Sequence, residues 1–310
     1  MGSNSDAVLK VGVIGLGDIA QKAYMPVLSA QPGLELHLHT RTPATLDRVG
    51  DAYRLPHRHR TLDGLLEQGL DAAFVHAPTD RHPELTERLI EAGVPAYVDK
   101  PLAFRYADAA RLAGLAERAG VGLTVGFNRR HAPVHTALLD RPRDLVVMQK
   151  NRAGLAAPTR VVVFEDFIHV VDTLRFLVPG PVEHTGVSAR VRDGLLHHVV
   201  LRLSGDGFTA LGIMNRSSGS AEEIVEVSGG DAKRQVLNLA EVVDHQGAVT
   251  ARRRGDWEPV SRQRGIEQAA LAFLDAVRAG GPFHTEDALR THELCERVVE
   301  EIEAIEGRSI

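Results

Sequence analysis

The chain has 310 residues, 44% of them apolar and 25% charged, with a formal net charge of −5. That length supplies core material for two domains, and the mild acidity excludes a nucleic-acid binder that relies on a strongly basic face. The single cysteine, Cys295, excludes an intrachain disulfide and fits a reducing, cytoplasmic setting.

The opening residues MGSNSD are polar and lack a basic stretch followed by an apolar one, so no secretory leader is expected. No apolar run reaches the ~20 residues that span a bilayer, so no membrane partner is expected either. The first strand is Leu9–Ile14, followed by a helix from Ile19 to Ala30. LELHLHT (34–40) alternates and reads as a second strand, and Pro43–Ala52 has helical spacing with proline near its start. DAAFVHAP, PAYVD and VGLTVGF give three more strands, separated by the helical stretches PELTERLIEAGV and YADAARLAGLAERAG. Both of those helices stop at glycine. Strand–helix alternation of this kind implies a parallel sheet covered on both faces.

After Phe127 the pattern changes. A helical stretch spans Phe167–Leu177. Strand-like runs follow at Val182–Val191, Leu196–Leu203, Phe208–Asn215, Glu222–Val227 and Gln235–Val243, and helices at Ile266–Ala279 and Glu286–Glu303 close the chain. The expectation is an α/β dinucleotide-binding domain over residues 1–125. A second, α+β domain over 126–310 would carry a large, mainly antiparallel open sheet. Ligand is expected between them, above the carboxyl ends of the first sheet. The second sheet is also the expected surface for a homodimer or higher homo-oligomer, through an apolar face around Leu211, Ile213 and Met214. Arg252-Arg253-Arg254 reads as a solvated loop or strand edge.

The first strand runs into Gly15-Leu16-Gly17-Asp18-Ile19-Ala20, a G-x-G-x-x-A turn opening a helix. The first glycine permits the tight turn, the second lets a pyrophosphate approach the backbone, and the small Ala20 allows close helix–strand packing. The helix start offers free N–H groups to the phosphates. Where an NAD site places a carboxylate at the end of the second strand, this chain has Thr40-Arg41-Thr42. An acid there would repel a 2′-phosphate, whereas arginine and hydroxyls bind one, so NADP(H) is favoured over NAD(H). Pro78, Thr79 and His82 follow the third strand, where ribose and nicotinamide contacts are expected.

GLGDIAQKAYMPVL, YVDKPLA, VGFNRR and EDFIHVVDTLRFL occur in that order. Together they resemble the Gfo/Idh/MocA family of oxidoreductases, and within it the MviM-type proteins. The resemblance runs over nearly the whole chain, most specifically in its N-terminal half. It implies an NAD(P)-dependent enzyme with a Rossmann domain, acting on a secondary alcohol or ketone of a small sugar- or inositol-like substrate. A glycosidase of the same fold and a non-catalytic cofactor sensor are the alternatives. The family's Glu-Lys-Pro appears here as Asp99-Lys100-Pro101, with an acid one methylene shorter. The resemblance implies a cis Lys-Pro bond, with Asp99 and Lys100 beside the cofactor and Lys100 pointing at substrate. His169 and Asp172 resemble the family's HxxD element. Glu165 stands where many members have an aspartate, with Asp166 next to it, and either could take that role. Asn128 and Arg129 are expected to line the cleft, and Arg130 to form a surface or interdomain salt bridge.

Oxidising a secondary alcohol removes a hydroxyl proton as hydride leaves carbon, and a base of near-neutral pKa suits this. Histidine starts at about 6.5, whereas a lysine starts at about 10.4 and must be lowered. His169 is therefore expected to accept or donate the proton, Lys100 to bind and polarise the substrate oxygen and to share the proton, and Asp172 to orient substrate hydroxyls or His169. No metal is expected at Asp166, His169 and Asp172, which lack a cysteine or a second well-spaced histidine. The pairs His37/His39 and His57/His59 have no evident third ligand in sequence and read as structural or solvated.

Overall fold

Six short apolar runs build the first sheet: β1 (Leu9–Ile14), β2 (Leu34–His39), β3 (Arg58–His59), β4 (Ala72–Val75), β5 (Ala96–Val98) and β6 (Leu123–Val125). In this computed structural model, which describes residues 8–307, they lie in the order β3-β2-β1-β4-β5-β6. Every neighbouring pair is parallel. The polar opening stretch, on which the reading of no leader rests, lies outside the described residues. Strands buried on both faces read as continuous apolar runs, and all four residues of β4 are buried. The strand order reverses between β1 and β4, and ligands of such sheets bind outside the carboxyl ends at that reversal. The helix predicted over 19–30 starts at Asp18, passes through a π turn at Ala20–Tyr24 and ends at Leu28.

The second sheet comprises β7 (Leu145–Asn151), β8 (His184–Arg192), β9 (Leu195–Gly205), β10 (Phe208–Asn215), β11 (Glu222–Gly229), β12 (Ala232–Leu237), β13 (Glu241–Gln246) and β14 (Ala248–Arg253). Its order is β14-β13-β12-β11-β7-β10-β9-β8. It is antiparallel except for the β7–β10 pair. The helix Ile168–Leu177 packs on β7 and β10, and buries Ile168, Val171 and Leu174 completely. Three expectations need correcting. Strand β7 was not expected. The run 235–243 is two strands joined by a turn. The trio Leu211, Ile213 and Met214 does not share a face, because side chains alternate along a strand. Met214 is buried under the helices' side while Leu211 and Ile213 are half-buried on the other. Arg252 and Arg253 do lie on the edge strand β14, paired with Asp244 and Glu241.

By packing, the chain forms two discontinuous units: residues up to Gly126 with Ile266–Leu289, and Phe127–Gly265 with the chain from Arg290. The sequence reading drew one boundary and kept everything beyond it together. The reason for the return is apolar. Ile266, Ala269, Ala270, Phe273 and Leu274 join the core around β1, β2 and β4. Phe273 packs at 5.2 Å from the ring of Phe74 and 5.6 Å from that of Tyr97.

Candidate functional site

In the first unit, the turn after β1 forms one wall of a cavity of about 600 Å³. Gly15 has φ 87°, and a Cβ there would lie 2.5 Å from the backbone nitrogen of Ala77, so only glycine fits. A Cβ on Gly17 would meet no protein atom within 4 Å; a side chain there would instead project into space that the fold leaves open. Gly15, Gly17, Asp18, Ile19, Thr40, Arg41, Thr42 and Pro78 line this cavity, together with His39, which sequence read as structural or solvated, and His76, Arg81 and Arg88, which it did not single out. A glycine-floored turn at the start of a helix, with cationic and hydroxyl side chains on the rim, is the chemistry a dinucleotide needs. Ala20 is fully buried, as expected for close helix packing, and takes no part in the lining.

Strand β5 ends at Val98, and Asp99 and Lys100 follow it. The Lys100–Pro101 peptide is cis. The Asp99 carboxylate caps its own turn by accepting the Lys100 backbone N–H at 2.9 Å. Its other oxygen faces His76 Nδ1 at 3.6 Å. His76, only 4% exposed, stacks on Tyr24 with ring centroids 3.9 Å apart. Tyr24 in turn exchanges a hydroxyl hydrogen bond of 3.0 Å with Tyr97. Burial works against ionisation of Asp99, but the adjacent His76 imidazole and then the Lys100 charge prevail and hold its carboxyl below the usual range. His76 thus takes up the space beside a carboxylate one methylene short. It precedes a proline-containing turn and carries no motif, so nothing in the local sequence marks it.

Two expected cofactor contacts, His82 and Thr79, are buried and do not line the cavity. His82 is 1% exposed, and its ring nitrogens lie 2.7 Å from the Pro101 carbonyl and 2.8 Å from that of Ala77. Burial pushes its pKa down, ahead of the opposing pull of those carbonyls. It is a bracket that holds the two turns together. Thr79 is buried in the short 3₁₀ turn Thr79–Arg81.

In the second unit, His169 lies on the helix that follows a π turn at Val163–Phe167. Single π turns recur at functional sites because they displace side chains from the regular helical stripe. Arg129, expected to line a cleft, is 6% exposed. Its Nε and Nη2 donate to Glu223 at 2.6 and 2.7 Å, and its Nη1 donates to His169 Nδ1 at 2.6 Å. Burial opposes ionisation of Glu223, but Arg129 and then Lys150 hold its carboxyl well below the usual range. Because a guanidinium donates and has no acceptor atom, His169 Nδ1 is the acceptor in this contact and a neutral ring carries its proton on Nε2.

Asp172 is 1% exposed. It accepts Arg130 Nη2 at 2.6 Å and Nε at 2.9 Å, and the Thr291 hydroxyl at 2.9 Å. Arg130 and Thr291 belong to the same unit as Asp172, so this salt bridge is made within the second unit. Asp166 is the hub of a cationic cluster: Lys150 Nζ lies 2.6 Å and Arg152 Nε 3.1 Å away, and Arg216 also binds it. Burial raises the Asp166 pKa, yet Lys150 and Arg152 outweigh it and bring it to about 2. Burial drives the Lys150 ammonium down to about 7, Arg129 adding to the effect. Glu165 is half-buried on the π turn. Asn128 donates to the Arg264 carbonyl at 2.7 Å. The sequence reading missed Lys150 and Glu223, which lie on strands far from the motif.

Comparison with known proteins decides the family. Residues 9–127 match the Gfo/Idh/MocA profile, described as an oxidoreductase family with an NAD-binding Rossmann fold, and residues 141–246 match a YceM-like C-terminal domain. YceM of Salmonella typhimurium (strain LT2), itself named as a candidate oxidoreductase, is 32% identical over 281 residues, covering 87% of this chain and 90% of that protein. The chain belongs to the Gfo/Idh/MocA oxidoreductase family. Its fold repeats that of the MviM dehydrogenase from Clostridium difficile, with a TM-score of 0.90, 28% identity and coverage of 94% of this chain and 99% of that one. Myo-inositol dehydrogenase Hyg17 of Streptomyces leeuwenhoekii is 29% identical over 284 residues, 88% of this chain and 80% of that protein. As a Gfo/Idh/MocA member this chain is an NAD(P)-dependent oxidoreductase. No described helix is long and apolar enough to cross a membrane.

Proposed function

We propose that this oxidoreductase interconverts a secondary alcohol and a ketone on a small polyhydroxylated, sugar- or inositol-like molecule, using NADP(H). The observation that carries the reading is the open floor at Gly17 in a cavity rimmed by Thr40, Arg41 and Thr42, in a chain related to an inositol dehydrogenase. When bound, the nicotinamide gives or takes the hydride. The proton is the protein's to handle. His169, with Nδ1 accepting from Arg129, offers an Nε2–H. A neutral imidazole in that state polarises an oxygen by hydrogen bonding and does not deliver a whole proton, as in enzymes that use neutral histidine as an electrophile. Lys100 then carries the proton: as ammonium it protonates the developing alkoxide in reduction, and as free amine it takes the hydroxyl proton in oxidation. This gives Lys100 the proton that sequence expected His169 and Lys100 to share. Asp99 and His76 hold Lys100 in place, and His82 ties the Pro101 and Ala77 carbonyls beside it.

Nucleotide titration by fluorescence, followed by a dehydrogenation screen over sugars and inositols, tests the reading. NADPH is expected to bind at least about tenfold tighter than NADH, an acid-free strand end favouring the 2′-phosphate. Arg41→Ala is expected to erase that difference, and tighter NADH binding overturns it. Lys100→Ala is expected to retain nucleotide binding and lose turnover; undiminished turnover rejects the lysine's role. The outer face of the second sheet, with Leu211 and Ile213 half-buried, is our choice for pairing two copies, which light scattering in solution would reveal.

A further inference from the structure

The geometry points to a site for a divalent transition-metal ion of the zinc class on the first sheet, built by Glu35, His37 and His57. From sequence the histidine pairs lacked a third ligand; the fold supplies one. Glu35 and His37 alternate onto one face of β2. His57 immediately precedes β3, its carbonyl accepts the Leu38 N–H at 2.9 Å, and its ring stacks on that of His37 over the same face. The candidate ligand atoms all lie within 4.8 Å of one another. His37 Nε2 stands 2.9 Å from one Glu35 oxygen, and His57 Nε2 stands 3.9 Å from the other. Both imidazoles therefore aim a ring nitrogen at a single carboxylate, with their rings stacked at 4.5 Å and 15°.

Two imidazoles and one carboxylate are the donor set of zinc-class ions, not of magnesium or calcium, which take oxygen ligands. Zinc holds nitrogen and oxygen at about 2.0–2.2 Å in a tetrahedron, which sets ligand atoms about 3.3–3.6 Å apart, so only the widest separations, now within 4.8 Å, must close, by about an ångström. The freedom lies where it is needed. The side chains of His57 and Glu35 are 42% and 36% exposed, while that of His37 is 2% exposed and fixed. Exposure on one side also leaves an entry path and room for water as a fourth ligand. His37 already has the outer partner that metal-bound histidines use. Its Nδ1 lies 3.0 Å from His59 Nε2, so with a metal on Nε2 the Nδ1–H donates to His59. The site joins β2 to the two-residue edge strand β3, and a bound ion would fasten that edge.

Calorimetric titration of the metal-stripped, tag-free chain with Zn²⁺ and with Mg²⁺ is the test, with visible absorption of a Co²⁺-loaded sample as a second readout. One equivalent of Zn²⁺ is expected at micromolar affinity, with no Mg²⁺ binding and Co²⁺ bands of a low-coordinate nitrogen–oxygen site. The exposed variants Glu35→Gln and His57→Ala are each expected to weaken Zn²⁺ at least tenfold and to abolish the Co²⁺ bands, while NADPH titration stays unchanged. His59→Gln is expected to cost about 10–100-fold, the usual effect of losing an outer partner. Zn²⁺ binding that is absent, or that survives intact in His57→Ala and Glu35→Gln, overturns the proposal.

Discussion

Arg129 decides what His169 can do. A guanidinium always donates, so the histidine nitrogen it meets at 2.6 Å must accept. Replacing Arg129 by methionine releases Nδ1 to take a proton. The expected result is a new ionisation in the pH–rate profile, with kcat reduced more than KM is raised. An unchanged profile refutes the tautomer argument. His76→Phe keeps the ring stack on Tyr24 but removes the group facing Asp99. The expected outcome is a stable protein whose kcat falls about tenfold or more and by more than KM rises, since a misplaced catalytic group costs rate rather than affinity. Lys100 and His169 were legible from sequence because each sits in a short contiguous motif. His76, Lys150 and Glu223 were not, because their meaning depends on partners brought up from distant strands.

The elements show where periodicity speaks and where it fails. The strands and helices around β1, β2, β4, β5 and β6 follow from apolar runs and glycine stops, and fell where expected to within a few residues. Strand β7 hides because Lys150 and Asn151, both buried, break the apolar–polar alternation by which a strand is read. The turn between β12 and β13 hides because its positive-φ residues are Asn238 at 52° and Leu239 at 58°, where Asn-Gly would have announced it. The β1 turn offers a clean separation of folding from binding. Gly15→Ala should lower the melting temperature markedly, because a Cβ meets backbone at 2.5 Å. Gly17→Val should leave melting unchanged and abolish nucleotide binding, because its side chain meets only the cavity. Equal thermal damage from both would contradict that division.

At the scale of the whole molecule, buried charge ties stability to pH. The Asp166 carboxyl falls from 3.8 in the unfolded chain to about 2 in the fold. A lowered pKa stabilises above the unfolded value and loses that contribution as pH falls through the folded one. The difference amounts to on the order of 2 kcal/mol at neutral pH. Asp166→Asn is therefore expected to melt well below the wild type at pH 7, with the gap closing between about pH 4 and 2, where the wild-type carboxyl is itself neutral; a gap independent of pH would show that Asp166 does not ionise differently on folding. Chain order carries a further consequence. Phe273 and its helix complete the core of a sheet whose last strand ends at Val125. On a ribosome, which adds ~5–20 residues per second, the first six strands emerge many seconds before the helix that covers them. Until then an apolar face stands open, and the nascent chain is at its most dependent on a chaperone between those two moments. A gene cut near residue 126 would freeze the protein in that condition, and supplying Ile266–Leu289 as a separate peptide should restore solubility.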